Sequence, residues 1–209
     1  MDTVTYCESL VKGIYEKFDA SHDFQHIQRV RNNALEILKT EEQADKELVL
    51  LSVLLHDVSD PKYSNGKELE VSLLEKLSLD EEQKGKIQRI IQSVSFNGGH
   101  ERPAESIEAK IVRDADRLDA IGAIGIARTF AYGGAKGRKL YDPDEQAREE
   151  MTEEEYRSKA TSSVTHFYEK LLKLSNGMLT KKGQELAMER HQFMEQFLEQ
   201  LRKEVGEDI

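Results

Sequence analysis

The dipeptide His56-Asp57 could do chemistry because of its place in the sequence. It ends the most apolar helix predicted in the chain, residues 44–58, whose second half is apolar nearly all round, as is typical of a buried helix. An ionised carboxylate in such a place is unfavourable without a partner, and a bound cation would neutralise it. Successive helix residues point about 100° apart, so both side chains can converge on one ion beyond the helix end. The simpler alternative is that the two residues only cap the helix.

Further candidate ligands stand in two other predicted helices. His26 lies in the segment HDFQHIQRV, and the segment DADRLD carries Asp114, Asp116 and Asp119. Asp116 shares a helical face with apolar residues, where a charged side chain is unexpected unless it has a function. Spacing alone leaves Asp114 or Asp119 as alternatives. Imidazole nitrogens with carboxylate oxygens suit a borderline-to-hard divalent ion such as Mn²⁺, Fe²⁺, Co²⁺ or Mg²⁺. Because Cys7 is the only cysteine, a structural zinc site built from several thiolates is excluded.

The order H…HD…D resembles the HD-domain metal-dependent phosphohydrolases. His26 stands in HxxRV, His56-Asp57 in LLHDVSDPKY and Asp116 in DADRLDAIG, and the match covers about residues 20–130. The strings SHDFQHIQRVRNNA and RDADRLDAIGAIGIARTF look closer still to the small bacterial HD hydrolases of the YpgQ and YedJ kind. The resemblance implies an all-helical fold, one divalent metal held by these four residues, and hydrolysis of phosphate esters or anhydrides, usually in nucleotides. For the closest relatives it implies pyrophosphohydrolase activity on nucleoside triphosphates.

Three more residues near the motif are candidates for catalysis and substrate binding. The family often has a carboxylate where Asp60 stands, which implies that Asp60 orients or deprotonates the attacking water. Lys62 and Arg29 are the cations nearest the motif and are suited to gripping phosphate oxygens, with Lys62 also expected to act in catalysis. The alternatives are that Asp60 forms the turn before Pro61 and that the two cations are ordinary surface charges.

We expect one divalent metal ion, with Mn²⁺ first and Mg²⁺, Co²⁺, Fe²⁺ or Ni²⁺ as alternatives. Family members with two metals bring additional histidines between the HD pair and the last aspartate. Here only His100 lies in that interval, and His22 precedes the HxxRV segment. Either histidine could serve a second metal, the substrate or neither.

A glycine-rich, basic segment, GGAKGRKLYDP, lies in the least regular part of the chain, residues 131–152, which we interpret as a flexible loop or flap. The segment could fold over a triphosphate, although it lacks the spacing of the phosphate-binding loop motif, GxxxxGK followed by Ser or Thr. Arg128 and Tyr132 stand one helical turn apart just before it. Both are therefore candidates for substrate binding.

Apolar spacing predicts helices almost everywhere, so the predicted fold class is all-α, an HD-domain helical bundle with C-terminal helices packed on the core. Ser21 is the predicted N-cap of the helix that carries His26. We expect one domain over 1–209, with an HD-domain core at 20–130 and C-terminal helices at 153–209. The expected helices cover residues 22–38, 44–58, 67–78, 80–95, 107–130, 154–175 and 181–205.

Composition and charge restrict the partners and the location. Lys and Arg number 30 against 40 Asp and Glu, so the formal charge is −10, which argues against a nucleic-acid polymer but allows a small anionic substrate. No apolar run approaches the ~20 residues that span a bilayer, and no signal peptide is evident, so we expect a cytoplasmic protein without membrane partners. The amphipathic helix at 183–205 could pack on the core, which we favour, or form a homodimer.

The leading functional hypothesis is a metal-dependent phosphohydrolase that splits nucleoside triphosphates into monophosphate and pyrophosphate. One alternative is a 5′-nucleotidase that acts on nucleoside monophosphates. The other is a non-catalytic ligand-binding module whose metal is only structural. A cyclic-dinucleotide phosphodiesterase and a (p)ppGpp hydrolase are disfavoured, because the additional motifs of those subgroups are missing.

Overall fold

The computed structural model describes residues 1–19, 22–59, 68–94, 102–148, 152 and 161–206. Within these residues the chain forms helices and no strand, which confirms the predicted all-α fold. None of the helices described combines the length and the hydropathy that a bilayer-crossing segment needs. The chain folds into two compact units, the first at 1–95 and 102–116 and the second at 96–101 and 117–209.

The first unit is built around one central helix. Its helices, among the residues described, are α1 Thr3–Tyr15, α2 Phe24–Leu38, α3 Lys46–Leu55, α4 Glu68–Leu74, α5 Glu81–Gln92 and most of α6 Ile107–Asp119. Every residue of α3 from Leu48 to Leu55 is buried, and α3 packs against α1, α2 and α5. The Tyr15 hydroxyl donates a hydrogen bond of 3.0 Å to the Leu54 carbonyl oxygen, which fixes α1 against α3. The prediction of a buried helix that ends at the HD dipeptide is confirmed.

Aspartates begin several helices of this unit. Four N-caps have carboxylates that accept hydrogen bonds from backbone N–H groups of the first turn: Asp2, Asp23, Asp45 and Asp80. The prediction of Ser21 as the N-cap of α2 is wrong. Asp23 Oδ1 instead accepts a hydrogen bond of 3.0 Å from the His26 N–H, so the cap also holds the backbone of a candidate ligand.

The single helix expected over 107–130 is interrupted. α6 ends at Asp119, and α7 runs over Gly122–Ala135. Gly122 has a φ of +74°, and a Cβ atom there would lie 2.9 Å from Cγ of Arg190. The Arg190 guanidinium donates a hydrogen bond to the Leu118 carbonyl oxygen just before the break. The helix bends because glycine alone allows both this backbone conformation and the close passage of Arg190.

Among the described residues of the second unit, two more helices follow α7. α8 is continuous over 163–174, with a π-helical turn at Phe167–Leu171, and a 3₁₀ turn at Ser175–Gly177 follows. α9 runs over Lys181–Val205 and packs against α7, in agreement with the predicted packing of the C-terminal helix. Phe130 of α7, Phe167 of α8 and Phe197 of α9 have ring centroids 5.8–6.1 Å apart. These rings join the three helices in one apolar core.

Candidate metal centre

Three helices of the first unit bring together the four side chains predicted to bind metal: His26, His56, Asp57 and Asp116. The first lies in the first turn of α2, the next two at the C-terminal end of α3, and the last in α6. α2 packs against α3. Asn33 of α2 donates a hydrogen bond of 3.0 Å to the Ala115 carbonyl oxygen of α6, beside the fourth side chain. The helix packing therefore fixes the relative positions of the group.

Nitrogen and oxygen atoms face one another across the group at nearly equal distances. His26 Nε2 lies 3.4 Å from Asp57 Oδ2 and 3.6 Å from Asp116 Oδ1. His56 Nε2 lies 3.4 Å and 3.7 Å from the same two oxygens. Charge-assisted hydrogen bonds are shorter, about 2.7–2.9 Å. Ligand atoms that share an ion at about 2.0–2.2 Å stand roughly 3–3.5 Å apart. The ligand atoms of His26, His56 and Asp57 lie within 4.8 Å of one another, so these three side chains could hold a divalent metal, with Asp116 beside them.

Burial and the neighbouring opposite charges shift the pKa values of this group in opposite directions. Burial raises the pKa of Asp57, but His56 and His26 outweigh burial and hold that pKa well below its usual range. The pKa of Asp116 is lowered in the same way, mainly by His56. Burial disfavours the charged ring of His56, yet the two carboxylates raise the pKa of His56 to about 10. Both carboxylates therefore stay ionised, and a divalent cation bound through Nε2 of His56 would displace the proton of that ring.

A main-chain contact orients the His56 ring. Its Nδ1 lies 2.8 Å from the Val53 carbonyl oxygen, one turn earlier on α3, and an N–H at this position donates to that oxygen. Among the residues described, the buried Nε2 of His56 makes no hydrogen bond of its own and faces the carboxylates. Metal-binding histidines commonly donate their other ring N–H in this way. Sequence reasoning missed the Val53 contact, although a histidine three residues further along an apolar helix was an available signal.

His22 lies beside the group. Its ring centroid is 5.7 Å from that of His26, at an interplanar angle of 66°, and its charge contributes to lowering the pKa of Asp57. Its Nδ1 lies 3.8 Å from Asp19 Oδ1. The second histidine of open role, His100, lies outside the described residues.

The remaining predicted site residues fall in three places. Asp60 and Lys62 lie outside the described residues. Arg29 is partly buried on α2, one turn after His26. Arg128 lies in the second unit, where its Nη1 is 2.7 Å from Oδ2 of the buried Asp119.

The three aspartates of the DADRLD segment differ in their surroundings. The distances place Asp116 at the two histidines, in agreement with the resemblance. Asp119 instead binds Arg128, and Asp114 is fully buried. Helix packing therefore brings Asp116 close to both histidines, and its part as a ligand stays a prediction.

Tyr132 lies near the end of α7, outside the group. Its ring is contacted by two cations, Lys136 and Arg138, whose charged groups lie 5.8 Å and 5.3 Å from the ring centroid. Sequence reasoning selected Tyr132 but did not identify these two neighbours. The signal available was the basic character of the glycine-rich segment that contains them.

Comparisons with known proteins cover nearly the whole chain. The sequence model of the HD domain family matches residues 23–121. YpgQ of Bacillus subtilis is 39% identical over 201 residues, which cover 93% of this chain and 90% of YpgQ. A crystal structure of YpgQ in complex with ADP has a TM-score of 0.76 at 35% identity and covers 97% of this chain and 94% of that chain.

Two further solved structures have the same fold. A Bacillus thuringiensis protein described as an HD-superfamily hydrolase has a TM-score of 0.76 at 40% identity and covers 98% of this chain and 97% of that chain. A Lactobacillus plantarum protein has a TM-score of 0.88 at 36% identity, with the same two coverages. The family match includes all four side chains of the candidate metal centre. The chain therefore belongs to the HD domain family.

Proposed function

We propose that this chain is a divalent-metal-dependent phosphohydrolase that acts on nucleotides and converts nucleoside triphosphates into monophosphates and pyrophosphate. The observation that carries the proposal is the group of His26, His56, Asp57 and Asp116, whose opposed atoms stand 3.4–3.7 Å apart. Two relatives support it, because one is described as an HD-superfamily hydrolase and YpgQ has been crystallised with ADP. The proposed cofactor is a single ion, with Mn²⁺ the first choice.

The group would hold the ion through two imidazole nitrogens and two carboxylate oxygens. A bound divalent ion lowers the pKa of a water molecule and offsets charge on a phosphoryl oxygen. Val53 keeps the His56 ring turned towards the carboxylates. Asp60 is proposed to orient the attacking water, and Lys62 and Arg29 to bind phosphate oxygens. The position of Arg29 one turn after His26 supports its part in this assignment.

The proposed reaction breaks one phosphoanhydride bond. The water oxygen adds to the α-phosphorus while the bond from that phosphorus to the bridging oxygen breaks, and pyrophosphate leaves. Asp60 takes the proton that the water loses. Arg128 and Tyr132 are proposed to bind other parts of the substrate.

Oxygen-18 water can test both the products and the point of attack. The intact chain is incubated with Mn²⁺ and a nucleoside triphosphate, and the products are analysed by mass spectrometry. The expected products are pyrophosphate and a monophosphate that carries the heavy oxygen. His56→Ala should abolish both products, whereas Asp80→Asn, at an exposed N-cap that asparagine serves equally well, should not.

Other outcomes would contradict the proposal in distinct ways. Label in the pyrophosphate would place the attack at the β-phosphorus. Free nucleoside from monophosphates alone would identify a 5′-nucleotidase. Tight metal binding without turnover of mono-, di- or triphosphates would indicate a ligand-binding module.

A further inference from the structure

The second unit places two cations at one tyrosine ring, and one of them acts with a lysine of α8 on a nearby histidine, in a chain whose formal charge is −10. We call this the basic cluster and define it as Lys136, Arg138 and Lys170 together with Tyr132 and His166. Its first two cations belong to the glycine-rich segment that follows α7, and Lys170 and His166 belong to α8. A local gathering of positive charge in an acidic protein indicates a preference for an anion.

Two cations flank the same ring. The Lys136 ammonium lies 5.8 Å and the Arg138 guanidinium carbon 5.3 Å from the Tyr132 ring centroid. The chain turns back here because Gly137 has a φ of +67°, and the Arg138 N–H donates a hydrogen bond of 2.9 Å to the Gly133 carbonyl oxygen. This turn holds the charged groups of Lys136 and Arg138 near the same ring, with Gly137 as the one residue between them in the chain.

The same segment is attached to the start of α8. The N–H groups of Ser163 and Val164 donate hydrogen bonds of 3.0 Å to the carbonyl oxygens of Lys139 and Leu140. The next N–H groups of the helix, of Thr165 and His166, are bonded to Ser162. Because the first N–H groups of α8 are used in this way, an anion here would be bound by side chains.

His166 and Lys170 stand four residues apart on α8, so they lie on the same face of the helix. Burial, together with the charges of Lys170 and Arg138, lowers the pKa of His166 to about 3, against a weaker opposite effect of Glu169. The imidazole therefore stays neutral next to two cations. A neutral imidazole can still donate one hydrogen bond to a bound anion.

Two nearby carboxylates of the described residues, Glu169 and Asp142, have other partners. Glu169 accepts hydrogen bonds of 2.6 Å and 3.0 Å from Arg148 and one of 3.2 Å from Thr161. Asp142 binds Lys139 at 2.7 Å. Within the part of the chain that the structure describes, the buried Nε of Arg138 makes no hydrogen bond. The guanidinium thus keeps a donor that these carboxylates do not use.

We propose that the basic cluster binds a phosphate group, with Arg138 and Lys136 as its principal contacts. Guanidinium and ammonium groups together are the usual protein donors to phosphate oxygens. The bound phosphate group could belong to either of two molecules. One is the polyphosphate of the substrate, which rests on the proposed function, and the other is a phosphate compound that binds separately.

Binding of inorganic pyrophosphate tests the site without turnover. Isothermal titration of the intact chain in EDTA, where no metal takes part, should show saturable binding. Arg138→Gln and Lys136→Gln should each weaken it at least tenfold, as expected for one charged hydrogen bond. Lys181→Gln, at an exposed lysine outside the cluster, removes the same charge and should leave the affinity unchanged. Circular dichroism checks that each variant is folded.

Kinetics with Mn²⁺ then identify the source. If the substrate supplies the phosphate, Arg138→Gln raises the KM for the triphosphate at least tenfold with little change in kcat. If a separate compound supplies it, KM stays constant while the affinity for pyrophosphate falls. Absence of pyrophosphate binding to the wild-type chain, or equal affinity in Arg138→Gln and wild type, would overturn the site itself.

Discussion

Carboxylates that are buried or partly buried have different partners in the two units. In the second unit, Glu169 lies 2.6 Å from Arg148, and Asp119 lies 2.7 Å from Arg128. In the first unit, Asp57 and Asp116 face histidine nitrogens at 3.4–3.7 Å. Groups that neutralise each other approach to about 2.7–2.9 Å. The carboxylates of the second unit therefore complete closed ion pairs, whereas those of the first unit are spaced for a cation between the ligands.

The largest effect is expected from Asp57→Asn, which keeps the shape of the side chain and removes its charge. Turnover of a nucleoside triphosphate should fall by at least about 10³-fold, or roughly 4 kcal/mol, because the variant loses a proposed metal ligand. Mn²⁺ should raise the Tm of the wild-type chain but not that of the variant. Pyrophosphate release and thermal denaturation measure the two effects.

The matched control is Asp80→Asn, the same change at an exposed N-cap of the first unit. It should retain both turnover and the Mn²⁺-dependent rise in Tm. An equal rise in Tm in Asp57→Asn and the wild type would show that this carboxylate is not a ligand.

An effect of intermediate size is expected from Arg148→Met, which removes the ion pair between Arg148 and Glu169. Glu169 is 2% exposed and loses its main partner, while Arg148 is 19% exposed, so the free energy of unfolding should fall by about 2–3 kcal/mol. Urea denaturation measures the loss. Adding Glu169→Leu should restore part of it, because no buried charge then remains unpaired.

The same variant separates the two units functionally. Affinity for Mn²⁺ should be the same in Arg148→Met and the wild type. Arg148 forms an ion pair with Glu169 and is not part of the candidate metal centre. A loss of Mn²⁺ affinity, or a fall in stability below about 0.5 kcal/mol, would contradict the distinction between the two kinds of carboxylate.

The smallest effect concerns His166, whose charged neighbours are Lys170, Arg138 and Glu169. Its pKa is about 3 in the folded chain against 6.5 for an ordinary histidine, so the unfolded chain binds the proton more readily. The free energy of unfolding is therefore highest above pH 6.5. It falls as the pH is lowered towards 3, by at most about 1.4 kcal/mol per pH unit, because the proton binds to the unfolded chain first.

Urea denaturation at pH 7 and pH 5 measures this dependence. His166→Gln should unfold with a smaller difference between the two pH values than the wild type. Identical differences in wild type and His166→Gln would show that this imidazole is not held neutral by its neighbours.

The helices and the four candidate ligands could be predicted because their signals are local or carried by the motif. Apolar spacing predicted α9 over the residues where it is found, and the order H…HD…D selected the side chains that α2, α3 and α6 bring together. The mixed nitrogen and oxygen donors could also be read from residue types. In these cases the sequence contained the necessary information within a few turns of helix.

Features that depend on distant residues could not be predicted. The break at Gly122 depends on Arg190, which lies 68 residues later, and the pairing of Arg128 depends on a carboxylate across that break. Backbone hydrogen bonds join the segment after α7 to α8 and so bring the basic cluster together, and no sequence pattern predicts these bonds. Asp23 was missed as the cap of α2 because Ser21 is an equally good capping residue by type.

We propose that His26, His56, Asp57 and Asp116 hold one divalent ion on which hydrolysis depends. Titration of the chelator-treated, intact chain with Mn²⁺, followed by electron paramagnetic resonance of the unbound ion, counts the sites directly. We expect one site per chain, with triphosphate hydrolysis rising in proportion to its occupancy, and loss of both in His56→Ala. Undiminished Mn²⁺ binding by a folded His56→Ala variant, or full hydrolysis by the wild-type chain in excess chelator, would contradict it.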